Sequence, residues 1–112
     1  MEVTTERQGG ILSICVDGRI DGSNVVEFEE AIRNAIGDDD RVVIMDLENL
    51  RYISSAGLRA VLLTGKTLKG RGAELVLCSL SEPIRKVFEI SGFDTLFAIH
   101  ASRSAVQSSL SD

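Results

Sequence analysis

The sequence predicts an α/β fold, in which a mixed sheet of about five strands carries helices mostly on one side. Strand-like apolar runs alternate with segments of helical periodicity, in the order strand, strand, helix, strand, helix, strand, helix, strand, helix. The chain has 112 residues, 44% of them hydrophobic, which is enough for one packed core. Right-handed crossovers after the opening hairpin would place successive helices on the same face. We therefore expect a single domain over residues 1–112.

The first two strands are predicted to form a hairpin. Residues 2–8 are weakly strand-like and end at a Gly-Gly turn, and residues 11–16 form an apolar run that closes at Asp17 and Gly18. Residues 19–22 then read as a loop. Strands joined by such a short turn can pair only in the antiparallel direction, so we expect these two strands to be neighbours in the sheet.

The first helix follows that loop, with Ser23 as the expected N-cap and Gly37 as the end. Its acidic side chains lie largely on the opposite side from the apolar ones. The apolar positions recur at helical spacing: Val25, Phe28, Ala31, Ile32, Ala35 and Ile36.

The rest of the chain continues the alternation of strands and helices. Residues 38–40, three aspartates, read as a solvated turn rather than a metal site, because a bare triplet does not supply converging oxygen ligands. Strands are predicted over residues 41–47, 74–79 and 96–99. Helices are predicted over about residues 56–69, from Ser81-Glu82-Pro83 to Gly92, and weakly over 101–110, with a tail that frays from about residue 108.

Composition narrows the classes of function. The net charge of −5 without a basic stripe disfavours nucleic-acid binding, because phosphate neutralisation needs clustered Lys and Arg. No apolar run approaches the length of a membrane span, and the N-terminus lacks the features of a signal peptide. Cys15 and Cys78 each lie inside an apolar run and are expected to be buried free thiols. These features fit a cytoplasmic protein, and no metal or cofactor is predicted.

Two adjacent serines, Ser54 and Ser55, stand where a strand gives way to the longest predicted helix. The first N–H groups of a helix are unpaired, and its dipole is positive at that end. Such a position suits a phosphate, either bound or covalently attached. The fold would tolerate a phosphate on Ser55, so its effect should fall on a partner that fits a small neutral surface.

The sequence leaves three other interpretations open, two for Ser55 and one for a tripeptide further along the chain. Ser55 could be a helix N-cap with no further role. Ser55, Asp94 and His100 follow the chain order of an α/β-hydrolase triad, but the nucleophile elbow lacks its first glycine, since Ile53 stands there. Residues 65–67, Gly-Lys-Thr, resemble the end of a phosphate-binding loop, but they fall inside a predicted helix and the earlier glycine is missing.

A partner surface is expected around the two serines. Asp21 and Asn24 flank the start of the first helix, where they serve either as turn and cap residues or as part of a binding loop beside Ser55. Arg59 is either an electrostatic contact on the Ser55 helix or a solvated arginine. The expected partner-binding residues are Asp21, Asn24, Ser54, Ser55, Ala56, Gly57 and Arg59.

The segment around these serines resembles the phosphorylation motif of the STAS domain, in particular that of the anti-sigma factor antagonists of bacterial partner-switching systems. The likeness covers nearly the whole chain, and the matching pieces occur in the family's order. They are residues 18–21 (Gly-Arg-Ile-Asp), 43–47 (Val-Ile-Met-Asp-Leu), 52–58 (Tyr-Ile-Ser-Ser-Ala-Gly-Leu), 72–77 (Gly-Ala-Glu-Leu-Val-Leu), 83–88 (Pro-Ile-Arg-Lys-Val-Phe) and 91–92 (Ser-Gly).

The resemblance implies a function and its partners. The family's switch usually reads Asp-Ser, then Ser or Ala, then Gly-Leu, and its second residue is the phosphoacceptor. Ser55 matches that residue, while Ser54 replaces the usual Asp and is the alternative acceptor. The unphosphorylated protein would bind an anti-sigma factor that is a GHKL-type serine kinase, and so free the sigma factor. Phosphorylation would end that binding, and a PP2C-type phosphatase would restore it.

On this interpretation the protein is a switch and not an enzyme, and it is expected to be a monomer when free. A second hypothesis keeps the fold but not the switch: a constitutive STAS scaffold in another signalling assembly, in which neither serine is phosphorylated.

Overall fold

The computed structural model describes residues 1–110, which form a six-stranded sheet and four α-helices. A short 3-10 helix over Phe93–Thr95 follows the third helix. The strands are β1 (Glu2–Gln8), β2 (Ile11–Ile20), β3 (Val42–Asp46), β4 (Leu50–Ile53), β5 (Glu74–Cys78) and β6 (Ala98–His100). The helices are α1 (Val25–Ala35), α2 (Ser55–Gly70), α3 (Glu82–Ser91) and α4 (Arg103–Leu110).

The sheet has the order β1-β2-β3-β5-β6, with β4 added beside the second half of β2. β1 and β2 form the predicted antiparallel hairpin, and every other pairing is parallel. β2 pairs with β3 along Ile11–Cys15 and with β4 along Gly18–Ile20, so one long strand serves two neighbours. The register shifts between Gly18 and Arg19, and Gly18 has a φ of +109°, which side chains rarely adopt.

The predicted placement of the helices, mostly on one side, is confirmed. Of the four helices in the described residues, α1, α2 and α3 pack on one face of the sheet and α4 lies on the other. Alternate strand residues point to opposite faces, so each central strand contributes to both packed layers. The large core on the first face includes Leu12, Ile14, Val43, Met45, Leu77, Phe28, Val61 and Phe88, and the small one includes Ile44, Val76, Cys78 and Val106.

The structure differs from the sequence prediction in the region before α2. β2 continues to Ile20 instead of ending at residue 16, because Gly18 allows a bulge there and does not end the strand. Residues 50–53, to which no element was assigned, form the unpredicted strand β4. The expected helix cap at Ser23 is also wrong, since the N-cap is Asn24, without a side-chain capping hydrogen bond, and α1 ends at Ala35.

The C-terminal part of the chain is also shifted. β6 covers Ala98–His100, two residues later than its predicted start, because the turn of the 3-10 helix continues to Leu96, whose N–H donates to the Phe93 carbonyl. α4 includes residues 108–110, which were expected to fray, and the rest of that predicted tail, residues 111–112, lies outside the described residues. Both cysteines are free thiols, as predicted, with Cys78 buried and Cys15 half-buried.

Residues 38–40 were expected to form a solvated turn, but Asp40 is buried, with 2% of its surface exposed. Its carboxylate accepts hydrogen bonds from Arg7 Nε at 2.9 Å and Nη2 at 2.7 Å, and from the Gly37 N–H at 2.7 Å. Arg7 also donates to the Ala35 carbonyl, and Arg71 donates to the Gly37 carbonyl. These bonds join β1, the α1–β3 loop and the residue after α2. The hydrogen bonds from Arg7 hold the pKa of Asp40 below its ordinary value.

Within residues 1–110, no helix combines the length and the apolar character that crossing a bilayer requires.

We predict that Asp40→Asn lowers the free energy of unfolding at pH 7 by about 2 kcal/mol, because Arg7 loses its charged acceptor. The ion pair stabilises the fold fully above the pKa of an unfolded aspartate, about 3.9, and this contribution is lost as the pH falls through the lower folded pKa. The difference between wild type and variant should therefore shrink on acidification. Urea denaturation at pH 7 and pH 3 measures it. Asp39→Asn, at an exposed neighbour, is the control, and an equal loss in that variant would contradict the prediction.

A second prediction concerns Gly57, in the first turn of α2. A Cβ added there would lie 2.7 Å from Ile53 Cγ1 and 2.9 Å from Ile20 Cγ2, closer than real Cβ contacts. Gly57→Ala should destabilise the fold by about 1–2 kcal/mol through this overpacking. Gly70→Ala, at the other end of the same helix with nothing within 4 Å, should be neutral or stabilising in the same thermal melts. Equal melting temperatures for the two variants would show that the close packing of Gly57 against Ile20 and Ile53 is not needed for stability.

Candidate functional site

The two serines at the start of α2 have different environments. Ser54 is the N-cap, with φ −86° and ψ 173°, and its Oγ accepts a hydrogen bond from the Gly57 N–H at 3.2 Å. Its own N–H donates to the Ile20 carbonyl at 2.9 Å, so the residue is fixed to β2 and half-buried. The interpretation of Ser55 as the helix cap is therefore wrong, because Ser54 takes that place.

Ser55 occupies the first helical position and is exposed. Within the described part of the chain its hydroxyl makes no hydrogen bond, and its backbone lies at the positive end of a 16-residue helix. The exposed hydroxyl can accept a phosphoryl group without breaking any described contact. A phosphate there would face the unpaired N–H groups of the first turn.

The loop from Asp21 to Asn24 lies beside the serines because of the pairing between β2 and β4. Ile20 is the register partner of Ile53 in that parallel pair, so Asp21 and Ser54 follow adjacent strand ends at one edge of the sheet. The expected neighbourhood of the two loops is thus present in the structure.

Hydrogen bonds within the loop fix its shape. Asn24 Oδ1 accepts from the Asp21 N–H at 2.9 Å, and Asn24 Nδ2 donates to the Arg19 carbonyl at 2.8 Å. Asp21 Oδ1 accepts from both the hydroxyl and the N–H of Ser23. The hydroxyl bond from Ser23 is the main cause of the lowered pKa of Asp21, so this carboxylate stays ionised beside the serines.

Ala56, Gly57 and Arg59 were expected to contact a partner. Ala56 and Arg59 are exposed, and Arg59 lies one turn after Ser55 on α2. Gly57 is buried against Ile20 and Ile53, so its described contacts are internal ones that bring the start of α2 close to the sheet.

The sequence reading missed one exposed pair beside this site. The guanidinium of Arg19 lies over the ring of Tyr52, 4.4 Å from its centroid, and both side chains are exposed. The two residues are register partners across the β2–β4 pair, which was not predicted. Arginine and tyrosine are common anchors of protein interfaces. A prediction of residues 50–53 as a strand parallel to β2 would have placed Arg19 beside Tyr52.

The alternative chemistries find little support in the geometry. Ser55, Asp94 and His100 lie at the start of α2, in the 3-10 helix and at the end of β6, and no hydrogen bond joins their side chains in the described structure. The Gly-Lys-Thr tripeptide lies inside α2, as expected, and not between a strand and a helix. Over residues 1–110, no group of three or more His, Cys, Asp or Glu side chains has the geometry to hold a metal ion.

Comparisons with known proteins agree with this architecture. The profile of the STAS domain family matches residues 2–106. The Bordetella bronchiseptica protein BtrV, provisionally named an anti-sigma factor antagonist, is 42% identical over 105 residues, which cover 94% of this chain and 90% of BtrV. The anti-sigma-B factor antagonist of Staphylococcus aureus is 30% identical over 100 residues, covering 89% of this chain and 93% of that protein.

Solved structures show the same fold. The anti-sigma factor antagonist SpoIIAA in its unphosphorylated form superimposes with a TM-score of 0.82 at 22% identity, over 97% of this chain and 96% of that one. The phosphorylated form of the Bacillus protein gives a TM-score of 0.74 at the same identity, over 97% of this chain and 99% of that one. The matched profile and the two sequence relatives together show that this chain belongs to the STAS domain family, on the branch of the anti-sigma factor antagonists.

Proposed function

We propose that the protein is an anti-sigma factor antagonist gated by phosphorylation of Ser55. In its unphosphorylated form it binds an anti-sigma factor that is also a serine kinase of the GHKL type, and thereby frees the sigma factor. The kinase phosphorylates Ser55, the complex dissociates, and a PP2C-type phosphatase restores the active form. The protein acts in the cytoplasm as a monomer and as a substrate of these enzymes, without catalytic residues or cofactors of its own.

The observation that carries this proposal is the exposed hydroxyl of Ser55 at the start of α2, which makes no hydrogen bond within residues 1–110. The sequence relatives named above are called antagonists of anti-sigma factors, and SpoIIAA has been solved with and without its phosphate. The positive end of a helix tolerates an added phosphate, so the modification need not disturb the fold.

The geometry favours Ser55 over Ser54 as the acceptor. The Ser54 hydroxyl is half-buried and already bonded to the Gly57 N–H, so its phosphorylation would remove the cap of α2. The Ser55 hydroxyl has no such role. A kinase can therefore modify Ser55 on the folded protein.

The contact surface combines the two loops and the first turn of α2. Asp21 and Asn24 supply one side, and Ser54, Ser55 and Ala56 the other. Arg59 is placed to contact an acidic group of the partner, or to pair with the phosphate one turn before it. Gly57 contributes by holding the turn against the sheet, and the stacked Arg19 and Tyr52 extend the surface.

A phosphate changes this surface in two ways. It adds a charge of about −1.5 to −2 at pH 7, and it enlarges a side chain that the partner must otherwise fit closely. It also lies beside the ionised Asp21 loop, so the negative charge becomes concentrated. A cost of about 3 kcal/mol would weaken the complex roughly a hundredfold.

We predict that Ser55→Ala captures a GHKL-type kinase from native cell lysate and that Ser55→Asp does not, as read by mass spectrometry of the bound proteins. With the captured kinase purified, the dissociation constant for Ser55→Asp should be at least about tenfold weaker, because the carboxylate mimics the added charge. Unchanged thermal melting of Ser55→Asp would show that the fold is intact.

The matched control for this experiment is Ser104→Asp, which adds the same charge to another exposed serine near a helix start. Ser104 belongs to α4, which lies on the face of the sheet opposite to α2. The Ser104→Asp variant should therefore capture the kinase as wild type does. Equal capture by Ser55→Ala and Ser55→Asp would reject the switch and favour the constitutive scaffold. Loss of capture in Ser104→Asp as well would mean that added charge alone is responsible.

A further prediction separates the two serines. Ser54→Ala should lower the free energy of unfolding by about 1 kcal/mol through loss of the cap, yet still accept phosphate from the captured kinase. Ser55→Ala should keep wild-type stability and accept none. Phosphopeptide mass spectrometry and urea denaturation of both variants measure this. Phosphate on Ser54 in the Ser55→Ala protein would assign the acceptor to Ser54.

A further inference from the structure

A groove runs along α2 away from Ser55. Two adjoining cavities of about 490 and 380 Å³ share Leu62 and Lys66 in their walls. One wall is a stripe of α2 that begins at Ser55 and ends at Lys69, and the other is the segment over residues 91–98, from the end of α3 to the start of β6. The first two residues of β5 close the far end. We call this surface the α2–β6 groove. Its α2 wall spans 15 residues, or about 21 Å from the first to the last.

The floor of the α2–β6 groove is apolar. Phe97 packs directly on α2 at Gly65, where an added Cβ would lie 2.6 Å from the ring. Leu62 and Phe93 line the groove, and Leu96, which also lines it, is 58% exposed. An exposed apolar strip of this kind favours contact with another apolar surface.

The rim of the groove is basic although the protein is acidic. α2 carries Arg59, Lys66 and Lys69 and no acidic residue, in a chain of net charge −5. These three cations all line the α2–β6 groove. Glu74, at the far end, is the one acidic residue among the described residues that line it. The charge of the groove is therefore opposite to that of the molecule as a whole.

We infer that the α2–β6 groove receives an acidic amphipathic helix of the partner that binds at Ser55. This inference rests on the proposed function and extends its interface. An apolar floor with a basic rim is complementary to a helix that has leucine-like residues on one face and carboxylates beside them. A partner helix of about 15 residues would match the length of the α2 wall.

The position of Ser55 gives the groove a role in the switch. Ser55 lines the end of the groove, with Arg59 beside it. A phosphate on Ser55 would repel a carboxylate-bearing helix over a distance comparable to the Debye length, about 8–10 Å near physiological ionic strength. Phosphorylation would thus weaken groove binding by charge, in addition to blocking close contact at the serine itself.

The test uses the full chain, labelled with ¹⁵N, and a synthetic helical peptide of 16 residues with Leu on one face and Glu elsewhere. We expect amide shift changes centred on Leu62, Lys66 and Ala98 as the peptide is added. Lys66→Glu/Lys69→Glu should weaken binding at least tenfold. Arg33→Glu/Lys86→Glu makes the same change in net charge at exposed positions that do not line the groove, and should bind like wild type.

A peptide with Lys in place of every Glu should bind at least tenfold more weakly than the acidic one. Equal binding of the two peptides, equal weakening by the two double variants, or shift changes centred elsewhere would each overturn the groove assignment. The titration needs neither the kinase nor a phosphate. If the acidic peptide does not bind the groove but Ser55→Asp still fails to capture the kinase, the groove assignment is wrong and the proposed function stands. If the acidic peptide binds the groove but Ser55→Asp still captures the kinase, only the phosphorylation switch is rejected.

Discussion

The parallel pairing of β2 with β4 is the constraint on which the site depends. It places the ends of two strands side by side, so that Asp21 and Ser54 emerge at the same edge of the sheet. The hydrogen bond from the Ser54 N–H to the Ile20 carbonyl continues the pairing into the first residue beyond β4. The register of this pair shifts by one residue directly after Gly18, where φ is positive, and the shift brings Ile20 opposite Ile53. Without that shift, the two loops would not be aligned by the sheet.

In the proposed switch, the two adjacent serines have separate tasks, one structural and one functional. Ser54 satisfies an N–H group of the first turn of α2, which a helix start requires. Ser55 is left without any described role in the fold. In the proposed switch a modified residue must change what a partner meets while the domain stays folded. Separation of capping from signalling on two neighbouring side chains meets both requirements.

The order of most strands and helices could be predicted from the sequence, since β2, β3, β5 and the apolar faces of the helices have clear patterns. β4 could not, because it has only four residues and its two middle side chains are exposed. Two neighbouring serines are equivalent in a sequence, and only the backbone geometry decides which one caps the helix. Asp40 was read as solvated because its partner Arg7 lies 33 residues away, and no local pattern reports such a contact. The two loops of the site could be predicted because each directly precedes a helix. The Arg19–Tyr52 stack could not, because it depends on the pairing of β4 with β2.

Helix α2 is fixed to the rest of the domain at both ends. Gly57 holds its first turn against Ile20 and Ile53, and Arg71, just after its last residue, donates to the Gly37 carbonyl. A helix held in this way has little freedom to slide or tilt when its first residue is modified. No slow rearrangement of the domain then separates the chemical event from its effect. In the proposed switch, the response time is therefore expected to follow the rates of phosphoryl transfer, of phosphate removal and of dissociation of the complex, and not a rearrangement of this domain.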